Sequence, residues 1–349
     1  MTTLWFWLLA GMLGVYVVLD GFDFGVGMLY FVVGRTERER TALLSSIGSV
    51  WDGNEVWLIA AGGTLFAAFP ALYAATFSGF YLPLMIVLWL LALRALGIEL
   101  RHQLHDAMWH RFWDVAFSGA STALAVFFGA AVGNLVRGVP LGAGGDFMEP
   151  LWTDFRVGPA PGILDWYTLL VALTASCVLA LHGSLWLALK MAGALGERAR
   201  RVARRLFWPM AALGLLTSLA TLEVQPQVRE NLLRHPAGAL LPMLVFVTFV
   251  SARLFLERSP LAAFVASGAH VFLLVLSAAF AVFPHALTAR NPALHLELGA
   301  AAADPRLLRV MLFWWVPGVL LALGYSYYSY SRMPRKFELE SADAHDAEP

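Results

Sequence analysis

Residues 4–33 read LWFWLLAGMLGVYVVLDGFDFGVGMLYFVV, and the only charged side chains among them are Asp20 and Asp23. A helix needs about 20 predominantly apolar residues to cross the hydrocarbon core of a bilayer. This run is long enough to do so, and its two carboxylates lie where lipid or protein would surround them. The stretch therefore predicts a transmembrane helix with a polar site inside it.

The rest of the chain has the same character. Of its 349 residues, 59% are hydrophobic and 14% are charged, against roughly 25% charged in soluble domains. The apolar residues form long unbroken runs, which predict an all-α polytopic membrane protein with about nine transmembrane helices. The expected spans are 4–33, 43–69, 75–103, 114–136, 164–190, 204–222, 238–256, 261–283 and 307–330.

These spans form one integral membrane domain over residues 1–336, followed by a polar tail, 337–349, that we expect to be disordered. The loop lengths fit two four-helix bundles plus one extra helix. If the N-terminus faces outward, seventeen lysines and arginines lie on the inner side and seven on the outer side, which together are the 24 in the chain. Basic residues favour the inner side, so the sequence predicts N-terminus out and C-terminus in. The apolar N-terminus lacks a basic n-region, and we expect it to begin the first span rather than to be a cleaved signal.

Several other classes of site are excluded or disfavoured. The formal net charge is zero, so nothing indicates nucleic-acid binding. The single cysteine, Cys177, has no intrachain disulfide partner, and no Cys/His spacing resembles a zinc site. His182 and His270 lie within spans and either could ligate a heme, but a single helical histidine is more often a hydrogen-bonded packing residue. We therefore expect no metal or cofactor to be bound by this chain.

A second polar segment, Trp51-Asp52-Gly53-Asn54-Glu55-Val56-Trp57, lies within the second span, and Arg94 lies within the third. An ionised Asp at the centre of a spanning helix costs roughly 2.5–3.5 kcal/mol, so these groups need protons, partners or water. Asp23 and Asp52 lie at equal depth, about 16 Å from the inner surface at 1.5 Å per residue. The predicted result is one buried cluster of Asp20, Asp23, Asp52, Glu55, Asn54 and Arg94, walled by Trp51 and Trp57.

Spacing supports this cluster. Asp20 and Asp23 are three residues apart, as are Asp52 and Glu55, so each pair shares a helix face. The Gly21-xxx-Gly25 pattern favours close approach of a neighbouring helix at the same level. One arginine cannot neutralise four acids, which favours a proton route through Asp20, Asp23, Asp52 and Glu55. The alternative is that Arg94 neutralises one carboxylate and the others only fix helix packing.

The two polar segments also carry a family resemblance. Residues 19–29 (LDGFDFGVGML) and 46–58 (SIGSVWDGNEVWL) resemble subunit II of the cytochrome bd quinol oxidases. Residues 61–70 (AGGTLFAAFP), 77–81 (FSGFY) and 133–140 (GNLVRGVP) extend the likeness over roughly the first 140 residues.

The resemblance implies a terminal oxidase of the bacterial inner membrane that oxidises quinol, reduces oxygen to water and takes protons from the cytoplasm. It places the b- and d-type hemes in a partner subunit I, and leaves room for a small single-helix accessory subunit and for a quinone or lipid bound to this chain. It marks Asp20, Asp23, Asp52, Trp57 and Arg94 as positions of a proton-conducting cluster. Two other functions stay open: a proton-coupled transporter using the same acids, and a purely structural scaffold for subunit I.

Overall fold

The computed structural model describes residues 1–337, and for residues 236 and 237 the backbone alone. The fold is almost entirely helical, with one two-stranded antiparallel ribbon, β1 (His285–Leu287) and β2 (Leu296–Glu297). The helices are α1 (Thr2–Met28), α2 (Tyr30–Val33), α3 (Glu37–Gly48), α4 (Trp51–Ala68), α5 (Pro70–Gly79), α6 (Tyr81–Leu100), α7 (Ala107–Arg137), α8 (Trp166–Lys190), α9 (Gly193–Val224), α10 (Gln227–Arg234), α11 (Leu240–Phe255), α12 (Pro260–Val282), α13 (Leu298–Ala301) and α14 (Pro305–Arg332).

Within the described residues, seven helices are long and apolar enough to cross a membrane, so the chain is a multi-pass membrane protein. An eighth span results if α4 and α5, which meet at a bend of 119°, are taken together. The apolar helix α11 is shorter, at 16 residues. A count of nine and the orientation of the termini stay predictions.

The predicted first and second spans are each interrupted. The first ends as a regular helix at Met28 and continues as the short α2. The second is divided into two helices, since α3 ends at Gly48 and α4 begins at Trp51. α3 also starts earlier than predicted, at a Thr36–Glu39 capping box. Pro70 then starts α5, since proline fits the first turn of a helix and cannot continue the preceding one. From α7 onward each predicted span corresponds to one helix, although α7 and α9 start earlier than predicted.

α1 lies inside the bundle and packs against α4, α7, α8 and α12. Its closest neighbour is α8, because glycines face each other where the two helices cross. A methyl group on Gly25 would lie 2.7 Å from the Gly183 Cα, and one on Gly21 would lie 2.9 Å from Leu179. The close approach predicted from Gly21-xxx-Gly25 is therefore confirmed, and it occurs at the level of Asp20 and Asp23.

Ion pairs fix the end of the bundle where α1 stops. Asp114 of α7 accepts hydrogen bonds from Tyr30, Arg40 and Arg101 at 2.7, 2.8 and 2.7 Å. Glu39 of α3 pairs with Arg198 of α9 at 2.8 Å. Phe337, the last described residue, hydrogen-bonds through its backbone to Lys190 and Ala192. The rest of the predicted disordered tail, residues 338–349, lies outside the described residues.

Candidate functional site

Arg94 of α6 is the centre of the polar cluster. Its side chain is fully buried, and its Nη1 and Nη2 donate to the two carboxylate oxygens of Asp20 at 2.6 and 3.2 Å. Nη2 also donates to Glu55 of α4 at 2.9 Å. The guanidinium lies 4.7 Å from the centre of the Phe24 ring, a distance at which a cation is attracted to an aromatic face. One cation thus holds two carboxylates from two helices.

Asp23 lies one helical turn from Asp20 but makes no hydrogen bond to Arg94. Its Oδ2 accepts a hydrogen bond of 2.8 Å from Asn54 Nδ2, which also donates to the Leu19 carbonyl at 3.1 Å. Asn54 Oδ1 in turn accepts from the Tyr330 hydroxyl at 2.8 Å. Among the described residues, the buried Asp23 Oδ1 has no hydrogen-bond partner. Asp23 is therefore a buried carboxyl group bonded to a neutral amide, without a hydrogen-bonded cation.

Four helices build the site. α1 supplies both aspartates, α4 supplies Asn54 and Glu55, α6 supplies Arg94, and α14 supplies Tyr330. Trp57 is 4% exposed and closes one side together with the buried rings of Tyr16 and Phe24. Tyr330 had no signal in the sequence, because one tyrosine in a tyrosine-rich segment does not reveal that it faces Asn54 across the bundle.

The placement of Asp52 in the buried cluster is corrected. Asp52 is exposed in the first turn of α4, three residues from Glu55. The expected depth required one continuous helix over residues 43–69, but α3 ends at Gly48 and α4 begins at Trp51, so the helical register assumed across Ser49 and Val50 does not hold. Trp51 is half-buried and packs against a different apolar cluster from the one that contains Trp57.

The two helical histidines are held by hydrogen bonds. His182 is fully buried, with Nδ1 2.7 Å from Ser267 Oγ and Nε2 3.0 Å from the Val18 carbonyl oxygen. Its ring stacks on Phe264 at 4.8 Å. His270 Nδ1 lies 2.9 Å from the Val245 carbonyl. Since both ring nitrogens of His182 are engaged, it does not fit the role of a heme ligand. In the part of the chain described, no three His, Cys, Asp or Glu side chains are grouped to hold a metal ion.

A second buried cluster of charged residues lies at the C-terminal end of α7, away from Asp114. Arg137 is 1% exposed and pairs with both Glu149 and Asp165. It also donates to Asn134 Oδ1 at 2.6 Å and to the Gly162 carbonyl at 2.9 Å. Asp165 also caps α8, because its carboxylate accepts from the backbone amides of Tyr167 and Thr168. The pairing of Arg137 with these two acids has no signal in the sequence, where this arginine stands out only as part of the 133–140 motif.

Glu149 titrates unusually within this cluster. Burial raises its pKa from an ordinary 4.5 to about 7, an effect larger than the opposing attraction of Arg137. Among the described residues, its Oε2 is buried without a hydrogen-bond partner. The long 138–165 connection is thus held to α7 by a carboxyl group that titrates near neutral pH.

An apolar cavity of about 520 Å³ lies between α1, α4 and α14, beside the polar cluster. Trp57, Gly53 and Tyr325 line the end near the cluster, and Met12 and Trp315 line the other end. Its walls are suited to an apolar chain.

Comparisons with known proteins match most of this chain to one family. The family model described as cytochrome bd terminal oxidase subunit II matches residues 1–333. A probable cytochrome oxidase subunit 2 of Haemophilus influenzae is 31% identical over 95% of this chain and 93% of its own length. The cytochrome bd ubiquinol oxidase subunit 2 of Bacillus subtilis is 30% identical over 88% of each chain.

The match to the cytochrome bd-I ubiquinol oxidase subunit 2 of Escherichia coli K12 is more local. Identity there is 38%, over 57% of this chain, and the match spans about half (51%) of that relative. Among solved structures, a chain of the bd oxidase from Geobacillus thermodenitrificans superposes with a TM-score of 0.70 at 17% identity. The superposition covers 94% of this chain and 96% of that one, and at this identity it shows a shared fold.

Proposed function

Because this chain belongs to the cytochrome bd terminal oxidase subunit II family, we propose that it is a heme-free subunit that conducts protons within a quinol-oxidising complex. Family membership makes it part of a respiratory oxidoreductase with more than one subunit. In the proposed complex, quinol is oxidised and oxygen is reduced to water in a partner subunit I, in a bacterial inner membrane. The comparisons do not favour the proton-coupled transporter.

The observation that carries the proton role is the contrast between Asp20 and Asp23. Asp20 shares two hydrogen bonds with Arg94, so its charge is balanced within the bundle. Asp23 is equally buried but is bonded to the neutral Asn54 amide. A buried carboxylate without a paired cation is costly, whereas a neutral carboxyl is not. In the proposed path Asp23 is therefore the group that is protonated before transfer. It releases its proton when a positive charge, such as a second proton, comes close.

Glu55 and Asp52 provide the exit from the buried site. The Glu55 side chain is 23% exposed and still reaches Arg94, so it connects the cluster to the surface of α4. Asp52 lies three residues away at that surface, which gives the path Asp23, Asp20, Glu55 and Asp52. Asn54 and Tyr330 hold Asp23 in place, and Arg94 keeps Asp20 and Glu55 within one hydrogen-bonded group.

The same surface is where we place subunit I. Asp52, Val56 and Ile59 lie on one exposed face of α4, since they are spaced by four and three residues. An exposed carboxylate on an apolar helix face is unfavourable in lipid and is satisfied by a polar partner. The neighbouring α6 and α14 also expose large side chains: Trp89, Phe313, Trp314 and Leu321. In the proposed complex, subunit I packs against these exposed apolar side chains and contacts the Asp52 carboxylate, which passes protons to it.

The hemes that the family implies supply the electron transfer and oxygen chemistry when bound in subunit I. Within this chain, both ring nitrogens of His182 are already engaged, which counts against this histidine as a heme ligand. The apolar cavity beside Trp57 has the lining expected for a lipid chain or the tail of a quinone.

The test is Asp23→Asn in the purified multi-subunit oxidase. Asparagine keeps the volume but cannot exchange a proton. A group that transfers a proton in the chemical step contributes about 10²–10⁴-fold to a rate, and a relay group remote from that step contributes less, so we expect quinol-driven oxygen consumption to fall at least about tenfold. The heme absorption spectrum per complex stays unchanged. The matched control is Asp146→Asn, at an aspartate of the 138–165 connection outside the path.

Two outcomes would overturn the proposal. Unchanged turnover and unchanged proton uptake in both Asp23→Asn and Asp52→Asn would leave only a scaffolding role. Purification of the chain without a heme-bearing partner, together with solute transport in liposomes, would remove the oxidase function altogether.

A further inference from the structure

The basic end of α9 carries more cations than the fold uses. Arg204 is paired with Glu257 at 2.6 and 3.1 Å, and Arg200 is paired with Glu197 at 2.7 Å. Arg201 and Arg205 are both exposed, and among the described residues neither guanidinium takes part in a hydrogen bond or an ion pair. Since they are four residues apart, they lie next to each other on one face of the helix.

That face continues as an apolar stripe. Trp208, Leu215 and Leu219 follow Arg201 and Arg205 at helical spacing, and they are 79%, 62% and 57% exposed. This helix face begins with two unpaired arginines and continues with exposed apolar residues. It is complementary to a phospholipid, whose headgroup would lie against the arginines and whose acyl chain would lie along the apolar residues.

The position of these arginines along α9 also matches the depth of a lipid headgroup. The next charged residue after Arg205 is Glu223. The uncharged stretch between them spans about 26 Å at 1.5 Å per residue, close to the roughly 30 Å of the hydrocarbon core. Arg201 and Arg205 therefore lie at the level of the lipid headgroups, and Trp208 lies at the interface, where tryptophan is favoured.

The neighbouring end of α11 adds to the positive charge. Arg253 lies 5.9 Å from the Phe207 ring, and Arg258 follows the paired Glu257. The cations at this corner outnumber the two glutamates, Glu197 and Glu257, by four: they are Arg200, Arg201, Arg204, Arg205, Arg253 and Arg258. Basic clusters of this kind at helix ends attract anionic lipid headgroups.

The space between α9 and α11 is open beyond this end. Phe207 and Phe249 bring the two helices together at 5.5 Å between ring centres. Further along α9, the same side carries Ala211, Gly214 and Ser218. A methyl group on Gly214 would meet nothing within 4 Å. This leaves room beside the stripe for an acyl chain.

We propose that this corner binds a phospholipid with a net negative headgroup. Arg201 and Arg205 hold the phosphate, and an acyl chain lies along Trp208, Leu215 and Leu219. Free phosphate would satisfy only the arginines, whereas the stripe and the open space beside Gly214 match a lipid chain.

The test uses the intact complex, purified with its partner subunits and depleted of lipid. Binding of phosphatidylglycerol and of phosphatidylcholine is measured by native mass spectrometry for the wild type and for Arg201→Gln/Arg205→Gln. Each arginine near the surface contributes about 1 kcal/mol to anionic lipid binding, so we expect the double variant to bind phosphatidylglycerol about 30-fold more weakly. The control is Arg111→Gln/Arg229→Gln, which removes the same charge at two exposed arginines elsewhere.

Three results would overturn the proposal. Equal weakening in the control would indicate diffuse attraction by net charge. Equal affinity of the wild type for both lipids would exclude headgroup recognition, and displacement of the lipid by millimolar inorganic phosphate would assign the site to a free anion. If the double variant does not assemble, Trp208→Phe carries the test: acyl-brominated phosphatidylglycerol should quench a component of fluorescence that this variant lacks, and equal quenching in both proteins would refute the site.

Discussion

Arg94 and Asp20 form a fully buried ion pair in which the two guanidinium nitrogens contact the two carboxylate oxygens at 2.6 and 3.2 Å. The pair joins α6 to α1 at the level where α1 crosses α8. A buried pair of this kind contributes little net stability as a whole, but loss of one partner leaves the other charge uncompensated. The buried charge of Arg94 therefore requires a carboxylate partner, and Asp20 is that partner.

We expect Asp20→Asn to destabilise the folded chain by roughly 3–5 kcal/mol, the range for breaking a buried pair. Glu55→Gln should cost less, because Arg94 keeps both bonds to Asp20 and because Glu55 is half-buried. The measurement is the thermal denaturation midpoint and the yield of assembled complex for each variant. Equal losses in the two variants would show that the cluster does not depend on the Asp20 pair.

The crossing of α1 and α8 depends on a pair of glycines. In Gly183→Ala the added methyl group would lie 2.5 Å from the Gly25 Cα, so the helices must separate. Overpacking of this kind costs typically about 1–3 kcal/mol, and we expect a lower denaturation midpoint. Gly11→Ala, where the methyl group meets nothing within 4 Å, is the matched control on α1. A Gly183→Ala protein as stable as that control would contradict the packing at the crossing.

Sequence reasoning located most of this site because the cost of charge in lipid is large and local. Asp20, Asp23, Asn54, Glu55 and Arg94 stand out in apolar runs, and the structure brings them together. Their spacing on α1 and the adjacent glycines are enough to predict the face and the close neighbour. The role of these residues in proton conduction stays a prediction.

What the sequence could not supply are the features set by backbone breaks and by distant contacts. The interruption at Ser49 and Val50 has no proline or charge to mark it, and it decides that Asp52 is exposed. The bond from Tyr330 to Asn54 joins residues far apart in the chain, which no periodicity reveals. The pairing of Arg137 with Glu149 likewise depends on the path of an irregular loop.

Tyr330→Phe tests the hydrogen-bonded chain behind Asp23. The change removes the donor to Asn54 Oδ1 but keeps the ring, so Asn54 loses one of the three hydrogen bonds that orient it beside Asp23. We expect the oxidase turnover to fall several-fold while the assembled complex and its heme spectrum are kept. Tyr328→Phe, at an exposed tyrosine of the same helix, should leave turnover unchanged. A Tyr330→Phe complex with full activity would place Tyr330 outside the path.

His182→Gln distinguishes a packing histidine from a heme ligand. The substitution removes an imidazole that bridges Ser267 and the Val18 carbonyl, so the denaturation midpoint should fall. The heme absorbance per assembled complex should not change, because both ring nitrogens are already engaged within this chain. Loss of one heme per complex, with assembly intact, would show that His182 reaches a heme after all.

The connection between α7 and α8 contains a carboxyl group that titrates near neutral pH. Glu149 has a pKa raised by burial to about 7 from an ordinary 4.5. A group whose pKa is raised by folding stabilises the folded state fully below its unfolded value, and that contribution is lost as the pH rises through its folded value. The window is therefore about pH 4.5 to 7, and the loss amounts to about 3 kcal/mol over it. Above pH 7 the ionised Glu149 competes with Asp165 for Arg137.

We accordingly expect residues 138–165 to exchange amide hydrogens faster at pH 8 than at pH 5, after correction for the intrinsic exchange rate. Glu149→Gln keeps a hydrogen-bond acceptor for Arg137 and cannot ionise, so the corrected protection of this segment should become independent of pH. Exchange in α8, which Asp165 caps through backbone amides, should be the same in both proteins. The assignment fails if the wild type and Glu149→Gln lose protection over the same pH range, because the titrating group would then be another residue.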